Sequence, residues 1–325
     1  MIRRILIVAL LVTLLSCACA RQPVKSGTIR FYDIANLDMR DVPLLMALDD
    51  LRGQGYTVET TYMASSSLIT EALARGDADL ALLNNLTMWN AVAKGVDART
   101  LVEPVASTTL LVAQTSITHC SQLNGLGVGL ASASGLSTAR LEYYFDQVCP
   151  GIVPNYAVIS ESSGRSAGLL SQDLAAAVIP AEELLKLQQG SPGKLHILAD
   201  VAAIFATVRQ DGIHARYGWA RENPSIIKDF LKALLSANRK VLAERKLLIQ
   251  QSMKRLEMDE ATAGAIADMH LSLGTWDANG GLTPELVQST LDFLTEIGSL
   301  KTGQSVSDVS DLSYLQAVLA EIGVK

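Results

Sequence analysis

Aromatic residues make up only 5% of this 325-residue chain, which argues against an aromatic-lined carbohydrate groove. Histidine is scarce too: His119, His196, His214 and His270 are the whole set, and none stands at metal-ligand spacing. Cysteine is confined to positions 17, 19, 120 and 149 with no C-x-x-C pair, so no metal site is expected. Charged residues are 18% against 49% apolar, far from a disordered composition. Basic residues are in deficit, with Lys+Arg 27 against Asp+Glu 33 and a net charge of −6. A duplex nucleic acid needs a basic face, so none is expected as a partner. Glycine and proline are scattered without period, which excludes collagen-like and low-complexity chains. Beyond residue 20 no stretch approaches the roughly 18 apolar residues of a transmembrane helix.

The features that are present start at the N-terminus. Residues 1–20 read MIRRILIVALLVTLLSCACA. Arg3 and Arg4 form a positive n-region, and the uncharged run from Ile5 to Leu15 suits a signal-peptide core. The expected destination is a periplasm or the outer face of a bacterial membrane. Two processing readings stand. Leu14-Leu15-Ser16-Cys17 resembles a lipobox, with a leader ending at 16 and Cys17 lipidated; Ala18-Cys19-Ala20 fits ordinary signal peptidase, with a leader of 1–20. In an oxidising compartment Cys120 and Cys149 are expected as a disulfide closing a loop of about 30 residues, worth roughly 3–4 kcal/mol. Two buried thiols are the alternative.

The length allows two domains. Residues 28–33 (TIRFYD) read as a strand. Asp41 then caps a helix with Pro43 in its first turn and Leu44, Leu48 and Leu51 on its apolar face. Residues 57–62 form the next strand, Ser65-Ser66-Ser67 open a helix, and 80–83 is a continuous apolar run of the buried parallel type. Asn84-Asn85 end that strand, and Thr87 caps the next helix. The same grammar resumes after 105, with strands at 108–113, 127–130, 157–159, 174–179 and 195–198. Helices are expected from Leu136 and over 164–170. Such alternation implies α/β layers with mainly parallel strands. After about 222 the pattern is helical: Asn223-Pro224 and Thr283-Pro284 each pair a cap residue with proline at the first helical position.

Several segments resemble type II periplasmic solute-binding proteins of ABC importers, the branch with the aliphatic-sulfonate, taurine, nitrate and thiamine-pyrimidine-precursor receptors. They are SSSLITEALARGDADLALLNN, VGLASASGLSTARLEYYF, SSGRSAGLLSQDLAAAVIPAEELL, RENPSIIKDFLKALLSA and LTPELVQSTLDFLTEIGSL. Their order covers some 290 residues. One departure is Gln172-Asp173-Leu174-Ala175, where the family writes a second Gly-x-x-Asp. The resemblance implies two α/β lobes joined by two crossing strands. Residues 27–104 and 205–325, with the C-terminal helices, would form lobe one; 105–204 would be inserted as lobe two. It implies hinge closure on a small solute, a permease and its ATPase as partners, a monomer, no cofactor and no catalysis. An organosulfonate- or nitrate-like oxyanion is the first expectation. A heteroaromatic vitamin precursor, or a sensory role, is the alternative.

In open α/β sheets ligands bind beyond the carboxyl ends of strands, where helix N-termini attract anions. That rule selects Asn36 and Asp38 after the first strand, Ser65 and Ser66 (with Ser67) after the second, and Asn84 and Asn85 (with Thr87) after the third. In the inserted block it selects Ser134, Ser137 and Thr138, then Ser162 and Ser163, then Glu182; Ser107 sits at the expected crossing. Each could equally be a plain cap or loop residue, since Ser, Thr and Asn are the preferred caps. Asp38 could meet a ligand ammonium. Arg165 suits a surface role better than an oxyanion, and Trp89, Trp219 and Trp276 suit packing.

Overall fold

The computed structural model describes residues 25–325 except Asn36 and Ser134. The expected leader and Cys17 lie outside them, as do those two candidate site residues.

Among the described residues ten strands form two five-stranded sheets. In β1 (Thr28–Ile34) Ile29, Phe31 and Asp33 point inward by simple alternation. It pairs in parallel with β2 (Thr57–Met63) and β3 (Leu80–Asn84). The sheet order is β2-β1-β3-β10-β4, with β4 at Ala98–Val102 and β10 at Asp211–Arg216. The second sheet runs β7-β6-β8-β5-β9, built from β5 (Thr109–Gln114), β6 (Gly127–Leu130), β7 (Asn155–Val158), β8 (Ala176–Pro180) and β9 (Leu195–Ala199).

Each sheet holds one antiparallel strand next to its centre: β10 against β3 and β4, and β5 against β8 and β9. Both are the strands that arrive from the other sheet. The chain crosses through residues 103–108 into β5 and returns through 200–210 into β10. The sequence pattern does not single out β4 or β10. In β10 (DGIHAR) a glycine, a histidine and two charged ends break the apolar run, yet Gly212 to Ala215 are all buried. His214 is buried with Nδ1 3.0 Å from Thr100 Oγ1, and burial depresses its pKa to about 3.

Helices α1 (Val42–Gln54), α2 (Ser66–Arg75) and α3 (Asn85–Val92) belong to the first sheet. The second carries α4 (Leu136–Val148), α5 (Ser162–Ser171), α6 (Ala181–Gly190) and the short α7 (Val201–Ile204). The chain then becomes helical as its periodicity implies: α8 (Tyr217–Glu222), α9 (Pro224–Ala243), α10 (Arg245–Leu256), α11 (Glu260–Ser272), α12 (Pro284–Glu296), α13 (Val306–Val309) and α14 (Ser313–Ile322). The long α9 returns to the first lobe, where Phe230, Leu231 and Leu234 share a core with Leu44, Leu48 and Leu51 of α1. Each such side chain stabilises by about 1.5–3 kcal/mol when fully buried.

Three caps differ from expectation. Asp41 makes no side-chain cap to α1; its Oδ2 instead accepts from the Asp38 amide at 2.8 Å, closing a 3-10 turn at Met39–Asp41. Asn84, not Thr87, caps α3, accepting from Leu86 N at 3.1 Å. Asn223 makes no side-chain cap to α9 and donates to Trp219 O at 2.9 Å. Ser65 and Thr283 do cap their helices. Cys120 and Cys149 are joined as a disulfide with Cα atoms 6.1 Å apart. Among the described residues no helix is long and apolar enough to cross a membrane.

Candidate functional site

Between the sheets the two crossing segments run side by side, and Gln210 gathers them. Its Oε1 accepts from Ser107 Oγ at 3.1 Å on the outgoing crossing, and from Ser137 Oγ at 3.4 Å and Arg140 Nη1 at 3.0 Å on α4. Its backbone carbonyl accepts from Asn85 N at 2.9 Å and from Asn84 Nδ2 at 3.1 Å. Four candidates, Asn84, Asn85, Ser107 and Ser137, therefore meet at one residue that local sequence does not mark. Arg140 is also unmarked. It is fully buried, donates further to Val208 O, and burial lowers its pKa to about 10. Beside it Glu103 Oε2 lies 2.9 Å from Arg209 Nη1; burial nonetheless pushes Glu103 up to about 8.

A cleft of about 720 Å3 opens between the lobes. Ser67 and Thr70 of α2, Thr87 of α3 and, from the second lobe, Gly135 and Thr138 line it. It thus joins the N-terminal ends of helices from both lobes, where amide N–H groups and hydroxyls are concentrated. Ser65 and Ser66 flank it at the start of α2, with the Ser65 side chain committed to the Leu68 amide at 3.4 Å. Thr138 is buried and donates to Ser132 O at 2.7 Å.

A second, smaller cavity of about 150 Å3 lies at the carboxyl ends of β1 and β3, against the first crossing. Asp33, Arg40, Asp41 and Asp211 line it with Ile34, Leu82, Leu83, Val105 and Ala106. Asp38 sits behind Arg40 and holds it in a two-point ion pair, Nη2 to Oδ2 at 2.6 Å and Nε to Oδ1 at 2.9 Å. Burial, reinforced by the charge of Asp41, pushes Asp33 up to about 8. Burial and then Asp38 push Asp41 up to about 7, and burial raises Asp211 as well.

The remaining candidates lie apart. Ser163 is exposed at the start of α5. Glu182 is buried, its Oε2 3.5 Å from His270 Nε2 on α11 and its Oε1 2.9 Å from Lys186 Nζ. Arg165 is not on the surface. It is 5% exposed and ties α5 to two strand ends, donating to Val178 O at 2.7 Å, Ile159 O at 2.6 Å and Ser160 O at 2.8 Å. Trp89, Trp219 and Trp276 are buried packing residues; Trp89 Nε1 donates to Thr100 Oγ1 and Trp276 Nε1 to Arg40 O.

Two constellations carry no chemistry. Gly164-Arg165-Ser166-Ala167-Gly168 spells G-x-S-x-G, but a nucleophile elbow needs that spelling on a strand-to-helix turn. Here it lies inside α5, and Ser166 is buried with its hydroxyl 3.3 Å from Glu183 Oε2. His119, Cys120 and Cys149 cluster closely enough to share a cation. Both sulfurs are spent in the disulfide, and a bound metal needs thiolates.

No protein-family model matches the chain, and no curated protein does either. Solved structures do. The ligand-binding component of an ABC-type import system from Staphylococcus aureus superposes with a TM-score of 0.71 at 13% identity, covering 90% of this chain and 99% of that one. A putative periplasmic sulfonate-binding protein from Methylobacillus flagellatus gives 0.70 at 15%, covering 92% and 96%. The periplasmic nitrate-binding protein of Synechocystis gives 0.70 at 13%, covering 93% and 90%. Two sheets of one topology, two crossings and a cleft between them, matched along nine-tenths of these structures, identify the chain's architecture as the two-lobed periplasmic-binding-protein fold.

Proposed function

We propose that this chain is a non-catalytic receptor that closes on a small solute between its lobes and delivers it to the permease and ATPase of an ABC importer. The observation that carries the reading is the cleft itself: Ser67 of α2 and Thr87 of α3 line it together with Gly135 and Thr138 at the start of α4. We read 27–104 and 205–325 as one lobe and 105–204 as the other. The hinge is then the pair of segments that Gln210 ties together. We read the apolar N-terminal run as a leader, with the protein outside the cytoplasm, free or held by a lipid on Cys17, and one monomer serving one transporter.

For the solute, hydroxyls and free amides suit an oxyanion, and the sulfonate- and nitrate-binding neighbours are consistent with that class. A sensory role would use the same cleft. The test is a thermal-shift screen of the purified chain against sulfonates, nitrate, amino acids, amines and pyrimidines. A ligand that binds only the folded state adds about 2.7 kcal/mol of apparent stability at 100 times its Kd. One chemical class raising Tm supports a receptor. Turnover of any panel compound would overturn the non-catalytic reading.

A further inference from the structure

The inner cavity has the wrong charge for an oxyanion. Three carboxylates, Asp33, Asp41 and Asp211, line it beside one guanidinium. That guanidinium is already occupied, because Asp38 holds Arg40 at two points. An anion entering here would meet three acids and a neutralised base. A cation would meet three acids, of which Asp41 and Asp211 share Arg40 with Asp38, while Asp33 has no base acting on it.

Asp33 makes the case independently of the cluster's count. It is 5% exposed and lines the cavity, and no lysine, arginine or histidine among the described residues forms an ion pair with it. Among the described residues its one hydrogen bond comes from the adjacent Ile34 amide, at 2.7 Å to Oδ1. A buried carboxylate without a countercharge is costly and is relieved by a proton or by a cation.

We propose, resting on the receptor reading above, that this cavity receives the protonated-nitrogen end of the solute, a primary ammonium or an amidinium, held by Asp33, Asp41 and Asp211. The cavity's shape narrows the class further. At about 150 Å3 it holds a small head group, the space of about five waters at roughly 30 Å3 each. No aromatic ring lines it, so a quaternary ammonium, which is recognised by ring faces, does not fit. An N–H donor cation does, because each carboxylate oxygen accepts a hydrogen bond from it.

The acids also set a pH dependence. Ionised carboxylates bind the cation, so binding displaces protons from groups that burial and mutual repulsion keep protonated near neutrality. Affinity therefore rises with pH until Asp33 and Asp41 are ionised in the free protein.

The experiment is calorimetry on the purified chain with putrescine, agmatine, choline, methanesulfonate and nitrate, at pH 6.0 and 8.5. Putrescine or agmatine should bind, at least tenfold more tightly at the higher pH, with proton release seen as a buffer-dependent heat. Choline and the two anions should not compete. Asp33→Asn should weaken binding at least tenfold. Asp211→Asn, on β10 rather than β1, should do the same, so that one misfolded variant does not decide the matter. Binding of methanesulfonate or nitrate without either amine overturns this inference and leaves the receptor reading standing. Binding of none of the five, with no shift in the wider screen, overturns both.

Discussion

Arg140 of the inserted lobe donates from Nη1 to Gln210 Oε1, 3.0 Å away on the returning crossing. The same oxygen accepts from Ser107 and Ser137, so one amide side chain couples both crossings to α4. The two crossings are thereby tied by hydrogen bonds around a buried cation that, among the described residues, no carboxylate contacts directly.

Gln210→Ala should leave Arg140, Ser107 and Ser137 without their shared acceptor. An unmet buried donor costs about 1–3 kcal/mol. Urea unfolding should show a lower midpoint by that amount, and Gln210→Glu, which keeps an acceptor, should recover part of it. An unchanged midpoint in the alanine variant would remove Gln210 from the hinge's support.

Glu182 of α6 and His270 of α11 meet with Oε2 3.5 Å from Nε2, and on the lobe division proposed above this contact spans the two lobes. Burial pushes Glu182 up, but hydrogen bonds from His270 and Lys186 bring its pKa below the ordinary value. With Glu182→Gln the charge that joins α6 to α11 is lost. Small-angle scattering of the unliganded chain should then show a larger radius of gyration and a shallower approach to closure on adding ligand. An identical scattering curve would make the contact incidental packing.

Gln172 ends α5 in the left-handed region with φ 68°, where Gly76 ends α2 with φ 81°. A side chain in that conformation costs about 1–2 kcal/mol, partly offset by the freedom glycine loses on folding. Gln172→Gly should therefore stabilise the protein by about 0.5–1 kcal/mol in chemical denaturation. Destabilisation would mean that the Gln172 side chain makes a compensating contact.

Glu103 carries a pH signature. Its folded pKa is raised by burial to about 8, above the roughly 4.3 of an unfolded glutamate. The stability it contributes is complete below that unfolded value and is lost as pH rises through about 8. Glu103→Gln cannot titrate, so its stability relative to the wild type should climb between pH 4.5 and 8.5, by at most about 5 kcal/mol. A flat difference across that range would mean that Arg209 keeps Glu103 ionised throughout.

Much of the architecture is legible from the chain alone. Alternating strand and helix grammar, the buried run 80–83 and the caps Ser65 and Thr283 all report locally on which face is buried, because periodicity encodes it within a few residues. The antiparallel strand β10 is not legible that way: Gly212 and His214 look like loop residues until the sheet closes over them. Arg165 misleads for the same reason, since a long side chain in a first helical turn looks solvated until strand carbonyls surround it.

The candidate site divides along this line. Hydroxyl and amide residues at strand ends follow from the rule that loops entering helices face the ligand, which selects Asn84, Asn85, Ser137 and Thr138; Ser107 is selected by its place at the expected crossing. Asp33, Asp41, Asp211, Arg140 and Gln210 are not, because each looks ordinary in its own segment. Only the double crossing brings residue 33 of one strand beside residue 211 of a strand that starts after the whole inserted lobe. The sequence by itself determined an α/β chain with an apolar N-terminal run and helix-capped loops, since those depend on neighbours along the chain. The charge of the inner cavity and the contacts around Gln210 were decided by tertiary structure, since electrostatics and hydrogen bonding act across space between segments that share no local pattern.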